Sequence, residues 1–210
     1  MNAPTPLAAA GTGHRFWRRS STGIWTLLGR LVSPAMSPGL FFLDFAVYPV
    51  LIIGFLAIAL LPGTTGAVLT TMAIAVSGYV FWTLAEYVVH RCVLHHMPMF
   101  AAVHLAHHHA PRELIGTPTL LSVAMFLGLG FCPMLALASL SHASAWMAGL
   151  LSGYLSYVGV HYAVHHIAGS PHGIFKGLKR HHALHHYRDG HRNFGVTTGI
   201  WDRVFGTRAV

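Results

Sequence analysis

Four long runs of apolar residues constrain this chain more than any other feature of its sequence. They are Leu40–Leu61, Ala67–Val89, Pro118–Ser139 and Ser144–Val164. Each is about the 20 residues that a helix needs to cross a bilayer. Pro62 and Gly63 break the first pair of runs, and Ser141-His142-Ala143 joins the second pair by a very short turn. The runs therefore read as two helical hairpins. Only 9% of the residues are charged, against about 25% in soluble domains, and the mean hydropathy is +0.55. A soluble bundle with four buried helices of this kind is disfavoured.

The basic residues orient the hairpins. All 13 Lys and Arg lie before the first run, in the link between hairpins (Arg91, Arg112) or after the fourth run, from Lys176 to Arg208. None lies at a hairpin tip. By the positive-inside rule both termini and the link are cytoplasmic. The net charge of +8 is then a topological signal and a headgroup contact rather than a nucleic-acid footprint. The expected architecture is an all-α integral membrane protein, with four transmembrane helices as two hairpins and a cytoplasmic, His-rich helical cap. Residues 1–35 form a basic, partly flexible segment with an interfacial stretch around Phe16 to Val32 and no cleaved signal peptide. Residues 36–210 form the membrane domain. Ile174–Leu184 mixes apolar residues with Lys176, Lys179 and Arg180, the pattern of an amphipathic interfacial helix.

Histidine is the compositional outlier, with 18 copies. Ten fall into four spaced groups: His90 and His95; His104, His107 and His108; His161 and His165; His182, His185 and His186. All four groups lie at the same end of the apolar runs. On a helix, positions three and four apart share a face. His161 and His165 therefore point the same way, and each H-x2-HH places its rings on one stripe. His90 and His95 are about 140° apart on an ideal helix and need not share a face if the helix ends between them and His95 returns from the link. Four converging stripes can offer two metal ions about five nitrogens each. Imidazole suits iron, zinc, copper and nickel alike. Cys92 and Cys132 supply neither a thiolate site nor a disulfide framework. His14 and His142 lie away from the cluster, and His96, His109, His166 and His181 adjoin it as neighbours rather than ligands. His172 and His191 complete the count.

Two carboxylates join the candidate site. Glu86 is costly within an apolar run and sits four residues before His90, where it could accept the ring N–H not facing a metal. Asp202 either plays the same part or pairs with Arg203. Asp44, near the start of the first run, reads as a helix cap.

These residues resemble the fatty acid hydroxylase superfamily, which includes fatty acid/ceramide 2-hydroxylases and sterol C4-methyl oxidases. The likeness is carried by EYVVHRCVLH (86–95), HLAHHHAP (104–111), HYAVHH (161–166) and HALHHY (182–187). The closing run NFGVTTGIWDRVFGT (193–207) is most similar to the 2-hydroxylase branch. The resemblance implies a non-haem di-iron monooxygenase that uses O2 on a lipid acyl chain, with zinc as the alternative metal. No segment resembles the His-Pro-Gly-Gly haem site of a cytochrome b5 domain, so electrons are expected from a separate cytochrome b5-like or ferredoxin carrier. A bacterial inner membrane is favoured over the endoplasmic reticulum. Sterol or carotenoid oxidation, or desaturation, on the same scaffold is the alternative. A membrane metal transporter or buffer is a third reading; transporters place ligands near the midplane, whereas these histidines gather at one end.

Overall fold

The computed structural model describes residues 24, 27, 28, 31, 35–61, 63, 65–168 and 173–209. The basic start and most of the Phe16–Val32 stretch lie outside the described residues, as do Pro62 and His172. Helices account for every named element: α1 (Pro38–Phe42), α2 (Asp44–Leu60), α3 (Thr65–Val88), α4 (Pro98–His109), α5 (Thr119–Met125), α6 (Cys132–Leu137), α7 (Leu140–His166), α8 (Gly173–Tyr187) and α9 (Ile200–Val204). Two π-helical stretches interrupt them. Val89–Leu94 continues α3, and Phe126–Phe131 joins α5 to α6.

Three helical runs among the described residues are long and apolar enough to cross a membrane: Pro38–Leu60, Gly66–Leu94 and Thr119–Leu137. Their outward side chains, such as Ile53 at 67% and Leu129 at 77% exposure, would sit poorly in water. The fourth expected span falls in α7, which is 27 residues long but is not among these three. Small and polar residues, including Gly149, Ser152, Gly153 and Ser156, keep it out of the strongly apolar class. The reason is its position. α7 is the central helix, packed along α2 and α3, and a helix shielded by protein needs small residues more than lipid-compatible ones.

Close approach is what those small residues provide. A Cβ on Gly149 would collide with the Ala75 carbonyl, and one on Gly153 with the Trp82 side chain. The core beside this crossing contains Tyr48, Met147, Leu150, Leu151, Tyr154 and Val158.

Two local expectations change. The second hairpin turns at Ala138 and Ser139, not at residues 141–143, because the Ser139 side chain accepts from the His142 amide and starts α7 there. Asp44 is not merely a cap. Its carboxylate is buried and accepts from Thr119 Oγ1 (2.6 Å) and the Tyr154 hydroxyl (2.9 Å), tying α2 to α5 and α7. Next to it, the Tyr48 hydroxyl lies 2.6 Å from Ser122 Oγ, which donates to the Thr119 carbonyl.

Candidate metal centre

α3, α4, α7 and α8 all bring histidines to one end of the bundle. The ten expected residues form two groups of five. His90, His95, His104, His108 and His185 make the first group; His107, His161, His165, His182 and His186 make the second. Within each group one nitrogen per ring lies within 4.8 Å of all the others. Five neutral imidazoles aimed at one point are a donor set for a divalent transition metal.

The spacing works differently from the expectation at two places. The helix does not end between His90 and His95. It widens into the π-helical Val89–Leu94, and i→i+5 bonding returns His95 to the side of His90, with ring centroids 5.2 Å apart. Nor does each H-x2-HH serve a single stripe. α4 gives His104 and His108 to the first group and His107 to the second, while α8 gives His185 to the first and His182 and His186 to the second. The stacked rings of His108 and His186, 4.1 Å apart, form the seam between the groups.

Adjacent histidines face elsewhere. His96 Nδ1 donates to the Arg91 carbonyl (2.6 Å) at the surface. The His166 ring stacks on Tyr162. His181 Nε2 meets the Asp202 carboxylate at 3.0 Å. Both cysteines are exposed and belong to neither group.

Glu86 and Asp202 act on a shared piece of backbone. Glu86 accepts from the amides of Val196 (2.5 Å) and Thr197 (3.0 Å), and from the Thr197 hydroxyl. It does not take the His90 ring proton. Beyond the start of the π-helical turn the i, i+4 relation lapses, and His90 Nδ1 donates to the Phe194 carbonyl at 2.5 Å. Asp202 accepts from the amides of Phe194 and Gly195, both at 2.8 Å, and from Thr207 Oγ1 at 2.7 Å; Arg203 is not among these partners. Four successive amides, 194 to 197, are thus gripped by two buried carboxylates. Gly195 is required there, since a Cβ would strike the Thr198 carbonyl. Asn193, with φ of 58°, turns the chain into this segment, a conformation that Asn tolerates better than most residues. Sequence reading missed this clamp, although the Gly195 and Asp202 of the closing run were its visible signs.

Protonation fits a cation. His90 and His185 each donate Nδ1 to a carbonyl, of Phe194 and Arg192 (2.7 Å), which leaves the Nε2 lone pair free. Burial, reinforced by neighbouring imidazoles, holds His95 down to about 4 and His107 to about 3. It also lowers His104, His108, His182, His185 and His186. These rings are neutral at pH 7 and can donate lone pairs. His107 Nε2, His182 Nδ1 and both ring nitrogens of His186 are buried without a hydrogen-bond partner, a costly state that coordination would relieve for the lone pairs facing the centre. The hydrogen bonds pull the other way at Asp202: burial raises its pKa, but donors from His181, Gly195, Thr207 and Phe194 outweigh it and hold the carboxyl below its ordinary range.

A cavity of about 540 Å³ begins at His90, His104, His107 and His161 and runs between the apolar helices to Gly130 and Trp146. Its walls are mostly apolar or aromatic, with Asp44, Glu86, Thr117 and Ser122 among them.

The fatty acid hydroxylase family model matches residues 75–207, which hold both histidine groups, Glu86 and Asp202. The chain belongs to the fatty acid hydroxylase family. Among the family's curated members, a dihydroceramide fatty acyl 2-hydroxylase of Arabidopsis thaliana is 35% identical over 141 residues, covering 62% of this chain and 58% of its own. A ceramide very long chain fatty acid hydroxylase of Saccharomyces cerevisiae is 38% identical over 62% of this chain and 36% of its own. The chain thus spans less than two thirds of the relatives it matches. The solved structure of full-length scs7p, in which the hydroxylase domain alone is visible, superposes with a TM-score of 0.69 at 27% identity. That match covers 81% of this chain and 67% of the other.

Proposed function

We propose that the chain is a membrane-embedded lipid hydroxylase that inserts one oxygen atom into an acyl chain, at carbon 2. The observation that carries this reading is the continuity of the two five-histidine groups with one long apolar cavity. Relatives named as dihydroceramide fatty acyl 2-hydroxylases support it. The ten histidines are the metal ligands in this reading, and Glu86 and Asp202 are positioning residues that act through the Phe194 carbonyl. Two irons bound there would supply activation of O2 for attack on an unactivated C–H bond.

The chain's own part is placement and exclusion. Apolar walls hold the acyl chain and keep bulk water from the histidines. The segment paired through Met36 N and the Leu114 carbonyl (2.7 Å) carries Met36 beside Ile115 at the cytoplasmic mouth of the cavity. The Phe194 ring packs against His90, His95 and His185 and closes the first group from below. α7 is the fourth span in this arrangement, and the histidines face the cytoplasm of a bacterial inner membrane, where a separate carrier delivers electrons.

Comparative lipid mass spectrometry tests the reading. Cells expressing the full chain should gain lipids one oxygen atom heavier, with fragmentation placing the oxygen at carbon 2. A His161→Ala variant should yield none. Oxygen at a ring or a mid-chain position would favour sterol or carotenoid-type chemistry on the same scaffold. Metal uptake without any lipid product would favour transport or buffering and overturn the proposal.

A further inference from the structure

The inner end of the cavity is built differently from its walls. From His161 back to Trp146 along α7 is fifteen residues, about 22 Å at 1.5 Å per residue. That is deeper than one leaflet's half of the ~30 Å hydrocarbon core. At this depth the indole of Trp146 packs on Phe81, with ring centroids 5.2 Å apart, and both line the cavity. Facing them is Gly130, in the π-helical stretch Phe126–Phe131. A Cβ on Gly130 would come within 3.0 Å of Met147 Cε and 3.3 Å of Leu150 Cδ2. A side chain at 130 would therefore press on Met147, Leu150 and Trp146 at the inner end, and the atoms it would meet are ends of side chains.

We infer that Gly130 and Trp146 set the longest acyl chain that the cavity accepts; the inference rests on the acyl-hydroxylase reading above. Selection there is by volume alone. Most of the carboxylates and hydroxyls along the wall are held by the protein itself: both Asp44 oxygens accept from Thr119 and Tyr154, the Ser122 hydroxyl pairs with that of Tyr48, and Glu86 accepts from Val196 and Thr197. A methylene that does not fit an apolar pocket costs about 10-fold or more in discrimination.

The test uses the full chain in a host whose lipids span a range of acyl lengths, and reads the lengths of the oxygenated lipids by mass spectrometry. Gly130→Leu should shift the products to shorter chains, about 10-fold or more against each methylene excluded. Trp146→Ala should shift them to longer chains. Both variants should keep the wild-type metal content, because neither residue touches the histidine groups. Product with wild-type lengths in either variant, or shifts in the same direction, would overturn the inference. If Gly130→Leu does not accumulate, Trp146→Ala decides alone. A wild-type chain that makes no oxygenated lipid removes the hydroxylase reading and this inference with it, whereas product of unchanged length removes the inference only.

Discussion

The two histidine groups are alike in number and unlike in support. In the first, His90 and His185 are each fixed by a backbone carbonyl, and Phe194 forms a floor. The segment that supplies this support is itself gripped at four successive amides by Glu86 and Asp202. In the second group, His182 Nδ1 and both nitrogens of His186 are buried with no partner. The first group is thus pre-shaped by the protein, while the second takes more of its order from whatever it coordinates. Hydrogen bonds to the non-ligating nitrogen orient a ligand and raise its basicity, so the two sites should differ in affinity although their donor sets match.

The largest effect expected is from removing a ligand. His107→Ala in the second group and His104→Ala in the first should each abolish lipid oxygenation. Metal analysis should show that His104→Ala loses the better-held ion and His107→Ala the weaker one. Equal loss of both ions from either variant would mean that the two groups are held alike.

Next in size is the clamp. Asp202→Asn and Glu86→Gln should weaken metal binding at the first group by about 10–100-fold, the usual cost of losing a partner of a ligand. Occupancy of the second group should stay near wild type. Each change also disturbs buried hydrogen bonds, at about 1–3 kcal/mol, which thermal unfolding would report. A variant that loses only the second ion would reverse the assignment of support.

How far these features were legible in the sequence follows from the range of the forces involved. The apolar runs and the histidine spacings are local patterns, and they located the helices and the ten clustered side chains. Which group each histidine joins depends on how α4 and α8 lie between the two centres, so His107 and His185 part from their neighbours for tertiary reasons. The π-helical turn at Val89–Leu94 has no strong local signature, and it brings His95 back beside His90. Glu86 finds the amides of residues 196–197, more than a hundred positions away, a pairing that i, i+4 reasoning cannot see. α7 reads as less apolar than its neighbours because it is the helix packed along both α2 and α3.

A smaller effect is kinetic. A chelator added to the metal-loaded protein should remove the ion of the second group first, giving two phases of metal release. A single phase would say that the groups are equally held.

The smallest effect is on the metal-free protein. Burial lowers His95 to about 4 and His107 to about 3 from an ordinary value of 6.5. The unfolded chain therefore binds more protons than the folded one between those values, and stability must rise with pH through that window. Metal-free protein should lose stability as pH falls below about 6.5 and show little change above it. Chemical denaturation in detergent at stepped pH would measure this, and metal should flatten the curve by holding the rings unprotonated.

Two metal centres in one chain, built from ten histidines, should each hold an ion. Elemental analysis of the purified full chain, by mass spectrometry against its amino-acid content, tests it most directly. Two metal ions per chain are expected in the wild type, one for each five-histidine group, with iron as the metal in active protein. One ion per chain, or none, in a folded preparation that still oxygenates lipid would contradict it.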